Sequence, residues 1–283
     1  MTPVGRRLAL ALVAVIVAGC AACGGQTERP SIAVGATVDP ESTLTAHLYA
    51  AALRSYGSAA HVEIEDDPLA EMDSGAITVV PGFTGRLLHR FDPEATARAP
   101  TQVYREMVSA LPEGVAAGDY TTSAEDKPAL AVAKSTAEKW DGRDVTAAVR
   151  NCDGLTVAAV ADAPRPSAIG PCKPKVTEFR DSKAVFDAVR SGRFPAAWTT
   201  TAAPGIPAEL LMLSDRTSLI RAENLVPLSR RNELNESQVL ALNEVAGVLD
   251  TAALAEMRAA VADGRDPGHV ADAFLAEHPL GDS

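Results

Sequence analysis

The chain has 283 residues, of which 37 are acidic and 26 are basic, so its formal net charge is −11. This length allows one large domain or two domains of moderate size. Binding to a phosphate backbone requires a basic face, so the acidic balance argues against it and no nucleic-acid partner is expected. Aromatic side chains make up only 4% of the residues, so an aromatic binding site has few candidates.

The first twenty residues have the pattern of an export signal. Arg6 and Arg7 precede an uninterrupted apolar run from Leu8 to Val17. That run is too short to span a bilayer as a helix but has the length of a signal-peptide core. It ends in Val17-Ala-Gly-Cys20, which resembles the bacterial lipobox.

The lipobox predicts a lipoprotein with a signal peptide at residues 1–19, a lipidated Cys20 and a flexible tether at 20–30. The lipid would anchor the protein to the outer face of the cell membrane. A plain secretory signal and an uncleaved anchor are the alternatives. Cys23 is a poorer lipidation candidate, because Cys20 stands three positions before it.

Apolar runs alternate with helical patterns along the rest of the chain, which predicts an α/β fold with mainly parallel sheets. Asp39-Pro40-Glu41 has the pattern of an N-cap, a first-turn proline and an early acid, and so predicts a helix start. The predicted strands are 31–35, 61–65, 76–80, 129–133, 155–160, 196–199 and 209–213. The predicted helices are 40–56, 68–73, 83–91, 101–111, 182–190 and three more beginning near Ser237, Thr251 and Asp266.

Cys152 and Cys172 are the two cysteines outside the N-terminal segment. Export permits disulfides. The loop between the two residues is rich in proline and glycine, which is the kind of irregular region that a covalent link stabilises. We therefore predict that Cys152 and Cys172 pair, with two buried free thiols as the alternative.

Five segments, in one order, resemble the glycine betaine/carnitine/choline class of ABC-transporter substrate-binding lipoproteins. The resemblance extends over about residues 31–278. The segments are 32–42 (a strand, a polar loop and a helix start), 74–85 (family pattern SGxIDxxPEYTG), 128–132 (YALAV), 198–200 (an aromatic residue followed by Thr-Thr) and 249–275 (LDTxxM followed by DPxxVAxxFL).

This resemblance implies a two-lobed periplasmic-binding-protein-like fold of type II. Each lobe would be a mainly parallel sheet flanked by helices, and two crossover segments would join the lobes. Residues 31–120 and 204–283 are expected in lobe 1, and residues 121–203 in lobe 2. The resemblance further implies that a small solute is captured between the lobes and passed to an ABC permease in the membrane, without a cofactor or a metal.

The resemblance places the ligand site on the loops that follow three strands. Phe83 and Trp198 are expected to form aromatic walls for a quaternary ammonium group, whose dispersed charge is attracted to ring faces. Ordinary core packing is the alternative for both rings. The hydroxyl groups of Thr84, Thr199 and Thr200 are expected either to donate hydrogen bonds to the solute or to serve as caps and sheet-ladder groups.

Asp39 and Ser42 belong to the first of these loops, where Asp39 is either a ligand group or a helix N-cap. The sequence departs from the family pattern nearby, since Gly82 and Phe83 replace the Glu and Tyr of PEYTG and Pro128 replaces the Tyr of YALAV. The expected aromatic box is therefore incomplete, and a different small polar solute or a non-transport receptor or scaffold are the alternatives. Further rings would have to come from non-equivalent positions, namely Tyr49, Tyr56, Tyr120 or Trp140.

The sequence contains no pattern typical of catalysis or of a metal site. The five histidines lack zinc-type spacing, and neither a GxSxG elbow nor a Gly-rich phosphate loop is present. The acid pairs Asp66-Asp67 and Glu125-Asp126 have the composition of solvated loops. We therefore expect a binding protein and not an enzyme.

Overall fold

The computed structural model describes residues 31–281. The predictions for the signal peptide, for Cys20 and for the tether lie outside the described residues. The strands are β1 (Ile32–Ala36), β2 (Ala60–Ile64), β3 (Val79–Phe83), β4 (Val115–Ala117), β5 (Pro128–Ala133), β6 (Thr156–Val160), β7 (Lys175–Phe179), β8 (Ala196–Thr200), β9 (Leu210–Met212) and β10 (Leu225–Arg230). The helices are α1 (Pro40–Ser55), α2 (Pro68–Ser74), α3 (Thr84–Phe91), α4 (Pro100–Ser109), α5 (Lys134–Lys139), α6 (Val145–Arg150), α7 (Ser182–Arg190), α8 (Glu236–Val248), α9 (Thr251–Ala262) and α10 (Pro267–Glu277).

The strands form two sheets of five, in the orders β2-β1-β3-β10-β4 and β7-β6-β8-β5-β9. In the first sheet β1 pairs in parallel with β2 and β3, while β10 runs antiparallel to β3 and β4. The second sheet repeats this arrangement, with β6 parallel to β7 and β8, and β5 antiparallel to β8 and β9. The predicted α/β class is confirmed, but both sheets are mixed and not mainly parallel.

The antiparallel strands follow from where the chain enters each sheet. Leu225, the first residue of β10, lies opposite Phe83 at the end of β3. Pro128, the first residue of β5, lies opposite Thr200 at the end of β8. A strand that begins beside the end of its neighbour has to run in the opposite direction, so each entry from the other lobe adds an antiparallel strand.

The predicted lobe boundary between residues 203 and 204 needs correction. Strand β9 pairs with β5 in the second sheet, and Leu213 and Ile220 pack in the core of that lobe with Leu130 and Trp198. These residues stay with lobe 2 because their apolar side chains are buried there. The chain returns to lobe 1 over residues 221–224, later than the sequence predicted.

The two crossover segments, residues 121–127 and 221–224, are hydrogen-bonded to each other. Asp126 N donates to the carbonyl oxygen of Glu223 at 2.8 Å, and Thr121 N donates to that of Leu225 at 2.9 Å. The buried Asn224 side chain donates to the carbonyl oxygen of Thr121 at 2.8 Å. The connection between the lobes is therefore a paired hinge and not two independent tethers.

Side-chain caps begin most of the long helices. Asp266 caps α10 as predicted. In three other helices the cap lies one or two residues before the predicted start at residue 182, Ser237 or Thr251, namely at Asp181, Asn235 and Asp250. Carboxylate and amide oxygens reach the N–H of the N3 residue, and so they act as caps in place of the neighbouring Ser and Thr.

Cys152 and Cys172 form a disulfide, as the sequence predicted, with 5.6 Å between their Cα atoms. Cys172 is buried in the core of lobe 2. Cys152 lies just before β6 and Cys172 after it, so the closed segment contains β6 and the irregular stretch that follows it. Within residues 31–281, no helix combines the length and the apolar character that crossing a bilayer would take.

Candidate functional site

The loop after β1 is held by capping hydrogen bonds. Asp39 Oδ1 accepts from the backbone N–H groups of Glu41 at 2.8 Å and Ser42 at 3.2 Å. Ser42 Oγ in turn accepts from Thr37 N at 3.0 Å. Asp39 is therefore the N-cap of α1, which was the alternative to its ligand role. Contact of Asp39 or Ser42 with a solute stays a prediction.

The loop after β3 places two predicted site residues in buried positions. Phe83 is 4% exposed and packs in the core that contains α1. Thr84 is fully buried, and its hydroxyl oxygen accepts from Asn224 N at 3.1 Å while its own N–H donates to the Asn224 carbonyl oxygen at 2.9 Å. Thr84 thus ties the start of α3 to the second crossover.

The end of β8 carries the three predicted residues of lobe 2. Trp198 is 5% exposed and packs in the lobe 2 core, where its indole Nε1 has no hydrogen-bond partner among the described residues. Thr199 and Thr200 are half-buried. The Thr200 hydroxyl lies beside the carboxylate of Asp126 in the first crossover. Ligand contact by these three residues stays a prediction.

Five charged residues meet where lobe 1 joins the crossovers, and we call them the charged cluster: Glu41, Arg86, Asp126, Glu223 and Arg258. The Arg86 guanidinium contacts Glu41 at 2.5 Å and Asp126 at 3.1 Å. Arg258 contacts the same two carboxylates at 3.1 Å and 2.7 Å. Asp126 is only 1% exposed, so its predicted position in a solvated loop is wrong. The two arginines explain how a carboxylate stays charged in this buried position.

The two carboxyl groups held between the arginines differ in their affinity for protons. Burial, together with the neighbouring Asp126, raises the pKa of Glu41 to about 7 against the opposing charge of Arg86. Burial also opposes the ionisation of Asp126, but hydrogen bonding with Glu41 and the charge of Arg258 outweigh it, so the pKa of Asp126 is lowered. Of the two carboxyl groups, Glu41 therefore binds a proton more readily and Asp126 loses its proton more readily.

Glu223 lies at the N-terminal end of α3. Its carboxylate accepts from Arg86 N at 2.9 Å. It also approaches the backbone of Gly85 so closely that a Cβ at this position would lie 2.6 Å from Glu223 Oε1. Negative charge is favoured at this end of a helix. Burial nevertheless raises the pKa of Glu223 to about 7, against the opposing charge of Arg86 and the hydrogen bonds from the backbone.

The face of the Phe83 ring is covered by Arg86. The guanidinium carbon lies 4.6 Å from the ring centroid, which is a cation–π distance. The other candidate rings are engaged elsewhere: Tyr49 and Trp140 lie in the two lobe cores, Tyr56 donates to Glu244, and Tyr120 stacks on Tyr104. Among the described residues, the structure therefore does not bring these rings together around Phe83.

The sequence reasoning missed most of the charged cluster. Arg86 follows Phe83 by three positions at a helix start, a spacing that places the two side chains on one face. Glu41 was recognised only as a first-turn acid. For Glu223 and Arg258 no local pattern was available, because they reach the cluster through the second crossover and through α9.

The two sheets of five strands and the paired hinge define a two-lobed fold of the binding-protein type. A family model for the substrate-binding domain of ABC-type glycine betaine transport systems matches residues 30–162 and 173–277. The chain therefore belongs to this family. The unmatched residues 163–172 lie inside the loop that the disulfide closes.

Solved structures share this fold over most of their length. A glycine betaine/carnitine/choline ABC transporter structure matches with a TM-score of 0.73 and 15% identity, over 88% of this chain and 98% of the other. Apo YehZ from Escherichia coli matches with a TM-score of 0.70 and 19% identity, over 89% and 99%. A choline-binding protein in complex with choline matches with a TM-score of 0.53 and 16% identity, over 88% and 89%.

At these identities the likeness defines the fold, which is that of a type II periplasmic binding protein, as the resemblance implied. Comparison with curated protein sequences gives no significant match.

Proposed function

We propose that this protein is the extracytoplasmic solute-binding lipoprotein of an ABC importer. It captures a small solute of the osmoprotectant type between its lobes and presents it to a membrane permease. The observation that carries this proposal is the family match through both lobes, combined with a hinge made of two paired crossovers. Such a hinge allows the lobes to close on a ligand as rigid bodies.

The charged cluster supports a binding role for the region around the hinge. Asp126 lies in the first crossover and contacts Arg86 and Arg258 of lobe 1. The same carboxylate accepts from Ala202 N, just after β8 of lobe 2, at 3.2 Å. Polar groups from both lobes thus converge on one residue of the hinge, so ligand contacts made there would act directly on lobe closure.

Attachment to the membrane is the second part of the proposal. The lipobox ending at Cys20 predicts a lipid anchor on the extracytoplasmic face of the cell membrane. The disulfide between Cys152 and Cys172 supports export, because such links persist in oxidising compartments. The anchor would keep the protein next to its permease.

A thermal-shift screen of the full-length protein tests the proposal. The panel contains glycine betaine, choline, carnitine, ectoine, amino acids and sugars. A bound solute stabilises the folded state in proportion to the logarithm of its excess over Kd, so weak binders also become visible. We expect at least one solute to raise Tm, and we expect a permease gene to lie beside the gene of this protein. No stabilisation by any solute, together with no neighbouring permease, would contradict the proposal.

A second candidate is a receptor or scaffold lipoprotein that uses the fold without transport. The contact between Arg86 and Phe83 favours it, because a side chain of the protein lies on the ring face that the resemblance assigns to the solute. A protein that gives no shift in the solute screen but co-purifies with an envelope partner would support this candidate over the importer.

A further inference from the structure

The Phe83 ring face and the N-terminal end of α3 each have the chemistry to bind one end of a zwitterionic solute. Both are in contact with charged groups of the protein itself. A quaternary ammonium group is attracted to the face of an aromatic ring, and a carboxylate to the N–H groups at a helix start. Here the Phe83 face carries the Arg86 guanidinium at 4.6 Å. The N–H of Arg86 at the start of α3 donates to the Glu223 carboxylate at 2.9 Å. Arg86 therefore occupies the position suited to the ammonium group, and Glu223 occupies the position suited to the carboxylate.

The position of Arg86 is held by buried partners. Its guanidinium contacts Glu41 at 2.5 Å and Asp126 at 3.1 Å, and the Asp126 side chain is 1% exposed. Leaving the ring would separate the guanidinium from two carboxylates in a poorly solvated place, which is costly. These two contacts hold Arg86 over the ring, although its side chain is partly exposed.

We propose that Arg86 determines the specificity of the cleft. Its guanidinium takes the place of a ligand cation over Phe83 and restricts the site to solutes that lack a permanent positive charge and accept hydrogen bonds. This inference rests on the proposed solute-binding function and narrows its ligand class.

The chemistry of the guanidinium supports both parts of this restriction, the exclusion of permanent cations and the preference for hydrogen-bond acceptors. A second cation within a few ångströms of Arg86 is repelled by it, and partial burial weakens the screening by water. A guanidinium has five N–H donors. One donates to Glu41 and one to Asp126, and the Arg86 side chain is still 42% exposed. Its remaining donors therefore suit the acceptor oxygens of a solute.

Calorimetry with a pair of matched solutes tests this restriction on the full-length protein. The pair is glycine betaine and its carbon isostere 3,3-dimethylbutanoate, which has the same shape and carboxylate but no positive charge. We expect the wild type to bind the isostere about tenfold more tightly than betaine, because only betaine meets Arg86 with a like charge. Arg86→Met is expected to reverse this order, because it uncovers Phe83 and leaves two carboxylates facing Arg258 alone.

The control is Arg90→Met on the same helix. Arg90 has a similar side-chain exposure and pairs with Asp67 at 2.7 Å, outside the charged cluster. This variant is expected to keep the wild-type order of the two solutes. Arg86→Gln provides a second variant in case Arg86→Met does not fold, because its amide still bonds the carboxylates without a charge. The order of two affinities within one variant does not depend on the folded fraction.

The outcomes separate this inference from the proposed function. A wild type that prefers betaine, or an Arg86→Gln or Arg86→Met protein with the wild-type order, overturns the role of Arg86. Variants that fold but still reject betaine also overturn it, while a hit in the solute screen would continue to support solute binding. If neither the wild type nor any variant binds a solute in calorimetry or in the thermal-shift screen, the proposed function and this inference are both contradicted.

Discussion

The Arg86 guanidinium lies over the Phe83 ring, with 4.6 Å between the guanidinium carbon and the ring centroid. The same guanidinium pairs with Glu41 from the start of α1 and with Asp126 from the first crossover. One side chain thus connects the predicted ligand loop, the helix that follows β1 and the hinge. The stability of this region and its ligand preference therefore depend on the same few charges.

Replacement of Asp126 by asparagine should destabilise the protein strongly. The change leaves Arg86 and Arg258 with one fewer buried carboxylate, and breaking a buried pair costs about 3 kcal/mol. Urea unfolding measures the difference. Glu125→Gln is the matched control, since the neighbouring carboxylate is more exposed and its ion pair with Lys127 is long, at 3.5 Å. Equal stability of the two variants would contradict the role assigned to Asp126.

Glu223 should make the folded state less stable as the pH rises. Burial raises its pKa from 4.5 to about 7, although Arg86, Arg221 and the backbone N–H groups of Arg86 and Gly85 face it. The folded protein then holds the proton more tightly than the unfolded chain. Its stabilisation is complete below about pH 4.5 and is lost as the pH rises through about 7, by up to about 3 kcal/mol.

Urea midpoints measured at pH 5 and pH 8 test this dependence. Glu223→Gln should lose less stability than the wild type between the two values. The exposed Glu106→Gln on α4 serves as the control and should follow the wild type. A wild type and a Glu223→Gln variant with the same pH dependence would show that Glu223 does not hold the proton in the folded state.

The disulfide should contribute about 3 kcal/mol to stability, because it closes a loop of moderate length in the unfolded chain. Replacing Cys152 and Cys172 by serine should lower the free energy of unfolding, measured by urea unfolding, by that amount. Adding a reductant to the wild type should have the same effect and should not affect the double variant further. Two alkylatable thiols in the native, unreduced protein would contradict the pairing.

Trp198 should act mainly through the packing of lobe 2. Its side chain is 5% exposed in the lobe core, so Trp198→Ala should cost about 3–5 kcal/mol. Trp198→Phe keeps most of the apolar volume and should preserve affinity for a solute found in the screen. A stable Trp198→Phe protein that no longer binds would instead show that the buried indole Nε1 contacts the solute.

The lipid anchor is tested by cell fractionation. Cys20→Ala should release the protein from the membrane fraction, because it removes the thiol that accepts the lipid. Cys23→Ala should leave the protein in the membrane fraction. Membrane retention of the Cys20→Ala variant would favour an uncleaved N-terminal anchor.

The sequence was sufficient for features that depend on neighbours along the chain. Apolar runs predicted seven of the strands, and the Asp39-Pro40-Glu41 pattern predicted the start of α1. Strands β4 and β7 were missed because they are short or half-exposed, and β10 because proline interrupts it. Family motifs in one order were enough for the fold class, which the family match and the solved structures confirm.

The sequence by itself therefore determined the α/β alternation and the family, because hydrophobic period, capping residues and motif order can be read along the chain. It predicted the disulfide but left two free thiols as the alternative, and the structure decided between them. Only the tertiary structure decided the lobe boundary, the direction of β5 and β10, and the charged cluster. Glu41, Arg86, Asp126, Glu223 and Arg258 come from separate helices and crossovers. Their contacts depend on the path of the chain through the hinge, and no local pattern encodes that path.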